Sequence, residues 1–129
     1  MQKTEKYQSN AQQDLQQAIQ QCSECYQTCM ATLSHCLSLG GPHANVSHIQ
    51  AMYDCAEICQ LAISYMVRSS AMYGRLNLLC AEICTRCANQ CEQITDADEQ
   101  MQTCAVTCRG CAAICQKTTY ADSALGTNL

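Results

Sequence analysis

Two cysteine-rich stretches decide the fold of this chain: CAEICTRCANQC at residues 80–91 and CAVTCRGCAAIC at residues 104–115. In both stretches the cysteines are spaced four, three and four residues apart. Because an α-helix turns by about 100° per residue, the four thiols of each stretch fall within about 60° of arc. Each stretch therefore predicts a helix with one face of sulfur, roughly 16 Å long at ~1.5 Å per residue.

The first half of the chain has the same helical spacing. Cys22, Cys25, Cys29 and Cys36 also fall within about 60° of arc on a helix that Gly40-Gly41-Pro42 is expected to end. On the next predicted helix, one face about 80° wide carries cysteines together with other residue types. Its members are His48, Met52, Cys55, Cys59, Ala62 and Met66. All 14 cysteines of the chain therefore lie on the inner faces of four predicted helices.

The pattern predicts an all-α fold, an antiparallel up-down-up-down four-helix bundle with a Cys-lined core that forms a single domain over residues 1–129. The helices are expected at about residues 10–39, 46–68, 71–94 and 97–117. Asn45 or Ser47 is expected to cap the second helix, and Thr95-Asp96 the fourth. Residues 1–9 are interpreted as a disordered lead and residues 118–129 as a tail without periodicity. No run of alternating apolar and polar residues predicts a strand.

Composition argues against several classes of function. The net charge is −4 and no basic run is present, so nucleic acid and anionic membranes are poor partners. No apolar run approaches the ~18 residues of a membrane span. The first residues are polar and do not resemble a secretion signal, so we expect a cytoplasmic protein. In a reducing compartment, many cysteines indicate metal binding more than disulfides.

The chemistry of a sulfur-lined core favours monovalent copper. Cysteine used only as an apolar filler would bury less apolar area than Leu or Ile. Soft thiolates select Cu(I), Zn(II) or iron–sulfur clusters. A Zn(II) ion with four thiolates keeps two negative charges, which are costly in a dry core, and Arg75, Arg86 and Arg109 lie off the sulfur faces. One Cu(I) per thiolate gives a neutral lining, so we expect multiple Cu(I) ions, up to roughly one per cysteine.

Other interpretations stay open from the residues alone. Cys87-x3-Cys91 and Cys104-x3-Cys108 match the twin CX3C pattern of small chaperones held by disulfides, although most cysteines would then be unexplained. The alternatives are thus a disulfide-stapled structural or chaperone bundle and a Zn(II)-thiolate protein. Cys80-x3-Cys84-x2-Cys87 also matches a cluster motif of radical enzymes, but that motif belongs on a loop of a much larger barrel. No Ser and His constellation suits a nucleophile, so we expect no enzymatic activity.

One end of the bundle is expected to form an entrance. The loop at residues 40–47 and the turn at residues 95–97 lie at the same end, where His48, Met52 and Met101 provide weaker Cu(I) ligands that could pass ions inward. His43 is interpreted as a solvated loop residue, and Met66 as a plug at the opposite end.

The cysteine pattern resembles that of the copper storage proteins, a family of Cys-rich four-helix bundles. The resemblance rests on Asp54-Cys55-Ala56-x-x-Cys59, on Met66-x-Arg68-x-Ser70, and on the two 4-3-4 stretches with their alanines, and it covers most of residues 10–118. It implies a lumen that stores many Cu(I) ions in a homo-oligomer, commonly a tetramer. It also implies that this chain belongs to the cytosolic branch of the family. A copper chaperone is a possible partner. The expected copper ligands are Cys22, Cys25, Cys29, Cys36, Cys55, Cys59, Cys80, Cys84, Cys87, Cys91, Cys104, Cys108, Cys111, Cys115, His48, Met52 and Met101.

Overall fold

Four long helices make up nearly all of the structure, a computed structural model that describes the backbone of residues 2–126 and the side chains of residues 10–119. The helices are α1 (Gln2–Leu39), α2 (Val46–Val67), α3 (Tyr73–Gln93) and α4 (Glu99–Gly126), and a short 3-10 helix (Gly41–Ala44) joins α1 to α2. No strand occurs within the described residues. The all-α prediction is confirmed.

The helices form a closed ring of neighbours. Helix α1 packs against α2 and α4, and α3 packs against the same two helices, whereas the diagonal pairs do not touch along the described backbone. Because each connection is short, consecutive helices run antiparallel. The predicted up-down-up-down bundle is therefore confirmed, and the four inner faces meet along one axis.

The loop after α1 follows the sequence expectation. Gly40 (φ 71°) and Gly41 (φ 57°) adopt the left-handed conformation, which glycine tolerates because it has no Cβ. The Gly40 N–H donates to the Cys36 carbonyl at 3.1 Å, which closes the last turn of α1. Of the two caps that the sequence offered for α2, the structure uses Asn45, whose Oδ1 accepts from the Ser47 N–H at 2.9 Å.

Two helix ends extend beyond their expected bounds. Helix α1 begins at Gln2, where a disordered lead was expected, and α4 continues to Gly126, past the expected end near residue 117. Residues 2–9 contain no proline or glycine, and residues 118–125 contain none either, so nothing local breaks the helices. Met1 and the end of the expected tail, residues 127–129, lie outside the described residues.

The starts of α3 and α4 also differ from the expectation. Asp96 has φ 65°, a left-handed turn conformation that is unsuitable for an N-cap, so Thr95-Asp96 does not cap α4. Asp98 does so, since its Oδ1 accepts from the Met101 N–H at 3.0 Å. Similarly, Ser69 (φ 54°) delays α3 to Tyr73.

The core is made mainly of sulfur and small residues. All 14 cysteines are at most 1% exposed, and alanines such as Ala18, Ala62 and Ala88 lie between them. Met52, Met66 and Met101 are the largest buried apolar side chains. The Cys-lined core is therefore confirmed. Among the side chains that the structure describes, the buried polar ones are Thr32, His48, Asn77 and Thr118, and none is a carboxylate, a lysine or an arginine.

Candidate metal centre

The 14 thiols form one continuous column along the bundle axis, called here the thiol column. Neighbouring Sγ atoms from different helices lie 3.5–4.0 Å apart, for example Cys55 with Cys84 at 3.5 Å and Cys25 with Cys108 at 3.8 Å. All 14 are free thiols. These contacts join helices that are far apart in sequence, so the column depends on the whole bundle.

Four groups of four thiols within the column have all their Sγ atoms within 4.8 Å of one another. Neighbouring groups share sulfurs: Cys25 and Cys55 belong to two groups, as do Cys29, Cys59 and Cys108. The groups are Cys22–Cys59–Cys80–Cys111, Cys25–Cys55–Cys59–Cys84, Cys25–Cys29–Cys55–Cys108 and Cys29–Cys87–Cys104–Cys108. Soft ions held there would be bridged by common sulfurs rather than held in separate cages.

Three cysteines lie outside these groups but still belong to the column. Cys115 contacts Cys22 with an Sγ–Sγ distance of 3.6 Å. Cys91 has a raised pKa, mainly because of its hydrogen bond with Cys104. Cys36 contacts His48 instead of a thiol, with Sγ 3.4 Å from Nε2. The column thus ends in a mixed sulfur and nitrogen site at Cys36.

The thiols do not share one acidity. Burial, together with the nearby charges of Asp98 and Cys104, raises the pKa of Cys36 to about 11. Hydrogen bonds from Cys111 and Cys115 lower the pKa of Cys22 to about 6. Metal entry at Cys36 near neutral pH therefore has to displace a proton, whereas the opposite end of the column offers a thiolate more readily.

The predicted entrance residues come together at the end formed by the α1–α2 and α3–α4 connections. His48, Met52 and Met101 are all fully buried. Burial lowers the pKa of His48, which favours the neutral imidazole that binds metals. This end of the bundle, with those three residues and Cys36, is called the mouth.

His43 belongs to the mouth, contrary to its interpretation as a solvated loop residue. It is half-buried in the 3-10 helix, and its Nδ1 lies 3.2 Å from Met101 Sδ. No local pattern predicts this contact, since the two residues are 58 positions apart. It arises because the α1–α2 loop places the His43 side chain within reach of the first turn of α4.

A half-buried polar pair stabilises one side of the mouth. His35 Nε2 and Asp98 Oδ2 lie 2.5 Å apart and join α1 to the start of α4. The pKa of Asp98 is lowered by the hydrogen bond with His35 and by the Met101 N–H. The same carboxylate therefore caps α4 and positions the turn that carries Met101.

The opposite end is closed by a small polar layer. Asn77 Nδ2 donates to Met66 Sδ at 3.3 Å and to Thr118 Oγ1 at 2.7 Å, and Thr118 Oγ1 donates to the Cys115 carbonyl at 2.8 Å. Met66 is 1% exposed, and its sulfur is already engaged. This arrangement agrees with a plug rather than a ligand. Asn77 Oδ1 has no hydrogen-bond partner among the described residues.

A bundle lined from end to end by buried thiols defines a class of protein that holds several soft metal ions in its core. The comparison with protein families agrees with this class. Residues 11–120 match the model of the copper storage protein family, Csp, and the chain belongs to that family.

Several solved structures share the fold. The Nmul_A1745 protein from Nitrosospira multiformis is 40% identical, with a TM-score of 0.79 over 85% of this chain and 98% of that one. The Cu(I)-bound copper storage protein BsCsp3 is 28% identical, with a TM-score of 0.76 over 82% of this chain and 98% of that one. Among curated proteins, the uncharacterized cysteine-rich protein YhjQ of Bacillus subtilis is 32% identical over 73 residues, 57% of this chain and 68% of its own length.

The helices were also compared with the requirements of a membrane span. None of those that the structure describes is both long and apolar enough to cross a bilayer.

Proposed function

We propose that this protein stores Cu(I), with many ions per chain held by the thiol column. The observation that carries the proposal is the set of overlapping four-thiol groups in a core where the described side chains include no buried carboxylate, lysine or arginine. Membership of the copper storage family supports it, as does the Cu(I)-bound state of the related BsCsp3. The role is storage and not catalysis, because the buried groups with metal chemistry are all ligands in one continuous column.

Shared sulfurs favour copper over zinc. A tetrahedral Zn(II) site needs four thiolates of its own. Because neighbouring groups share cysteines, at most two of the four groups can be filled in that way, and six of the 14 cysteines would stay unused. Each such site would also keep two negative charges in a core that offers no buried cation. Cu(I) accepts two or three bridging thiolates and leaves the lining neutral.

The proposed ligands are the 14 cysteines of the thiol column together with His48, Met52 and Met101 at the mouth. Imidazole and thioether bind Cu(I) more weakly than thiolate, which suits residues that receive ions and pass them on. The contact between His48 and Cys36 supports a transfer from the mouth to the first thiol. Each thiol that is protonated before loading releases its proton as copper enters.

The cellular setting follows from the same chemistry. A reducing cytoplasm would keep the thiols available, so we place the protein there. Exposed apolar side chains on the outer faces support a homo-oligomer, and we propose a tetramer. They include Leu61 (46% exposed), Leu78 (54%) and Val106 (72%). A copper chaperone is the proposed donor or acceptor.

An anaerobic titration tests storage. Reduced protein is titrated with Cu(I) in the presence of a competing chromophoric chelator, and a parallel sample is challenged with Zn(II). We expect saturation on the order of ten or more Cu(I) per chain and no displacement by zinc. Saturation at one or two equivalents, or a preference for Zn(II), would reject the proposal.

Counting thiols tests the disulfide alternative. Protein purified without oxygen is unfolded and reacted with a thiol reagent, with a sample reduced beforehand as the control. Storage requires both samples to show all 14 thiols. A much smaller count in the unreduced sample would favour a bundle stapled by disulfides.

A further inference from the structure

The thiol column is sealed from solvent at the mouth. The cysteines nearest the mouth, Cys36, Cys91 and Cys104, are at most 1% exposed. The mouth residues His48, Met52 and Met101 are fully buried as well. Copper can therefore reach the column only if part of the mouth moves.

One side of the mouth is poorly suited to move. Asp98 caps α4 through the Met101 N–H, and the same carboxylate pairs with His35 of α1, so it stabilises the first turn of α4 and joins that turn to α1. The α3–α4 side of the mouth is thus a fixed rim.

The opposite side is the segment at residues 40–45, called here the lid. Its 3-10 helix contains no buried residue. It begins with two left-handed glycines, and a Cβ added at Gly40 or Gly41 would meet no atom within 4 Å, so nothing packs against this hinge. Its backbone packs against α1 and α2 but not against α4 within the described part of the chain.

Among the described residues, one hydrogen-bond contact joins a lid side chain to α4. His43 reaches Met101 with Nδ1 3.2 Å from Sδ, and in the Nδ1–H tautomer it donates a hydrogen bond to the sulfur. His43 is only half-buried, whereas Met101 beneath it is fully buried. The imidazole therefore covers the outermost thioether of the mouth.

The same two atoms can bind a soft cation, but not at their present separation. With metal–nitrogen and metal–sulfur bonds of roughly 2.1 and 2.3 Å, a two- or three-coordinate ion needs the two atoms about 3.8–4.4 Å apart. The observed distance is 3.2 Å. An ion that binds both atoms must push His43 outward by roughly 0.6–1.2 Å, given those bond lengths.

We propose that the segment at residues 40–45 is a hinged lid, latched by His43 on Met101, and that Cu(I) opens it by inserting between His43 Nδ1 and Met101 Sδ. The capture of Cu(I) rests on the proposed storage function, whereas the lid itself does not depend on copper. Once the latch is replaced by two metal bonds, the ion lies above His48 and Cys36 and can be passed on to the thiols.

Two variants at residue 43 separate the latch from the ligand. His43→Ala removes both the ring and the donor, so it unlatches the lid. His43→Phe keeps a ring over Met101, and a sulfur–aromatic contact of similar strength replaces the hydrogen bond, but the phenyl ring cannot bind copper. His35→Ala is the matched control, because it removes a histidine from the same end of the bundle without touching the lid.

The first measurement needs no copper. Apo protein is pulsed with N-ethylmaleimide, and the labelled cysteines are located by peptide mass spectrometry. In His43→Ala we expect Cys36, Cys91 and Cys104 to be labelled about tenfold faster than in the unmodified protein, because loss of one hydrogen bond lets the lid open more often. Cys22 and Cys80 at the far end should keep their rates, and so should all sites in His43→Phe and His35→Ala.

Equal acceleration of all 14 thiols would mean global unfolding, and unchanged labelling in His43→Ala would mean that no latch exists. Either result overturns the lid.

The second measurement follows Cu(I) transfer from a chelator by stopped flow. We expect His43→Phe to take up the first equivalents about tenfold more slowly, although its capacity at equilibrium is within about one ion of the unmodified protein, because one weak ligand is lost. His35→Ala should load at the normal rate. Full copper capacity with an unchanged loading rate in His43→Phe would refute capture at His43. A low copper capacity in the unmodified protein would refute storage instead.

Discussion

The sharpest consequence of a shared thiol column is that its cysteines should not contribute equally to copper capacity. Cys55 and Cys36 form a matched pair for this comparison, since both are fully buried on the inner face of a helix. Cys55 Sγ lies within 3.5–3.9 Å of three other thiols, those of Cys25, Cys84 and Cys108. Cys36 Sγ contacts only His48 among the hydrogen-bond partners that the structure describes.

These contacts set the size of the effect. Cys55 belongs to two of the four thiol groups, whereas Cys36 belongs to none. If each Cu(I) takes two or three sulfurs, the Cys55 thiolate bridges ions in both of its groups, so Cys55→Ala should lose about two to three Cu(I). Cys36→Ala should lose about one or fewer by the same reasoning. Each change removes one buried sulfur and should cost the apo bundle a similar amount, on the order of 1–2 kcal/mol.

The assay is an anaerobic Cu(I) titration of both variants against the same chelator, with apo melting curves as the control for folding. The apo curves should be alike, so a difference in capacity reports on copper bridging and not on stability. An equal loss in both variants would show that each thiol acts independently. A larger loss in Cys36→Ala would contradict the shared-sulfur account altogether.

Three further outcomes are expected. Asp98→Asn keeps a capping oxygen and removes only the charge that pairs with His35, so it should lower apo stability near pH 7 by at most about 1 kcal/mol. Because the folded pKa of Asp98 is lowered, its contribution is present above the unfolded pKa of about 3.9 and is lost as pH falls, so thermal melts of the two proteins should converge under acid. Asn77→Leu should leave the apo melting temperature unchanged or higher, because it removes an amide oxygen that has no partner among the described residues, and copper capacity should not change. A drop of several degrees would mean that the hydrogen bonds from Asn77 to Met66 and Thr118 stabilise the bundle more than assumed. Cu(I) binding should release protons and weaken as pH falls, by up to about tenfold per pH unit for each thiol proton that copper displaces. Calorimetry in buffers of different ionisation enthalpy should detect the released protons. Cys36, with a pKa of about 11, must release one of them.

The bundle and its column could be predicted from the sequence because the cysteine spacing is itself structural information. A 4-3-4 repeat has one placement on a helix, and four helices that each have sulfur on one face can bury those faces together only in a bundle. The glycines before Pro42 marked the end of α1 for an equally local reason, since both residues adopt positive φ.

Local signals failed where two choices were close in sequence. Asp96 and Asp98 both precede α4 and both suit a cap, and the choice depends on the backbone of the turn, where Asp96 is left-handed. The start of α1 and the end of α4 lie further out than expected, because no proline or glycine marks an earlier boundary and helix propensity alone sets the helix length there.

The latch at the mouth could not be predicted because it depends on tertiary packing. His43 and Met101 are 58 residues apart, and His35 and Asp98 are 63 apart. Neither pair has a periodic pattern that would show it. The sequence placed His48, Met52 and Met101 at one end, but it could not show that the loop residue covers them.

Diffraction from crystals of the fully loaded protein, measured at the copper absorption edge, tests the central claim most directly. The account predicts many anomalous peaks along the bundle axis, each between cysteine sulfurs of the thiol column, and the strongest cluster around Cys25, Cys55 and Cys108. One or two peaks, or peaks confined to surface histidines and carboxylates, would contradict it.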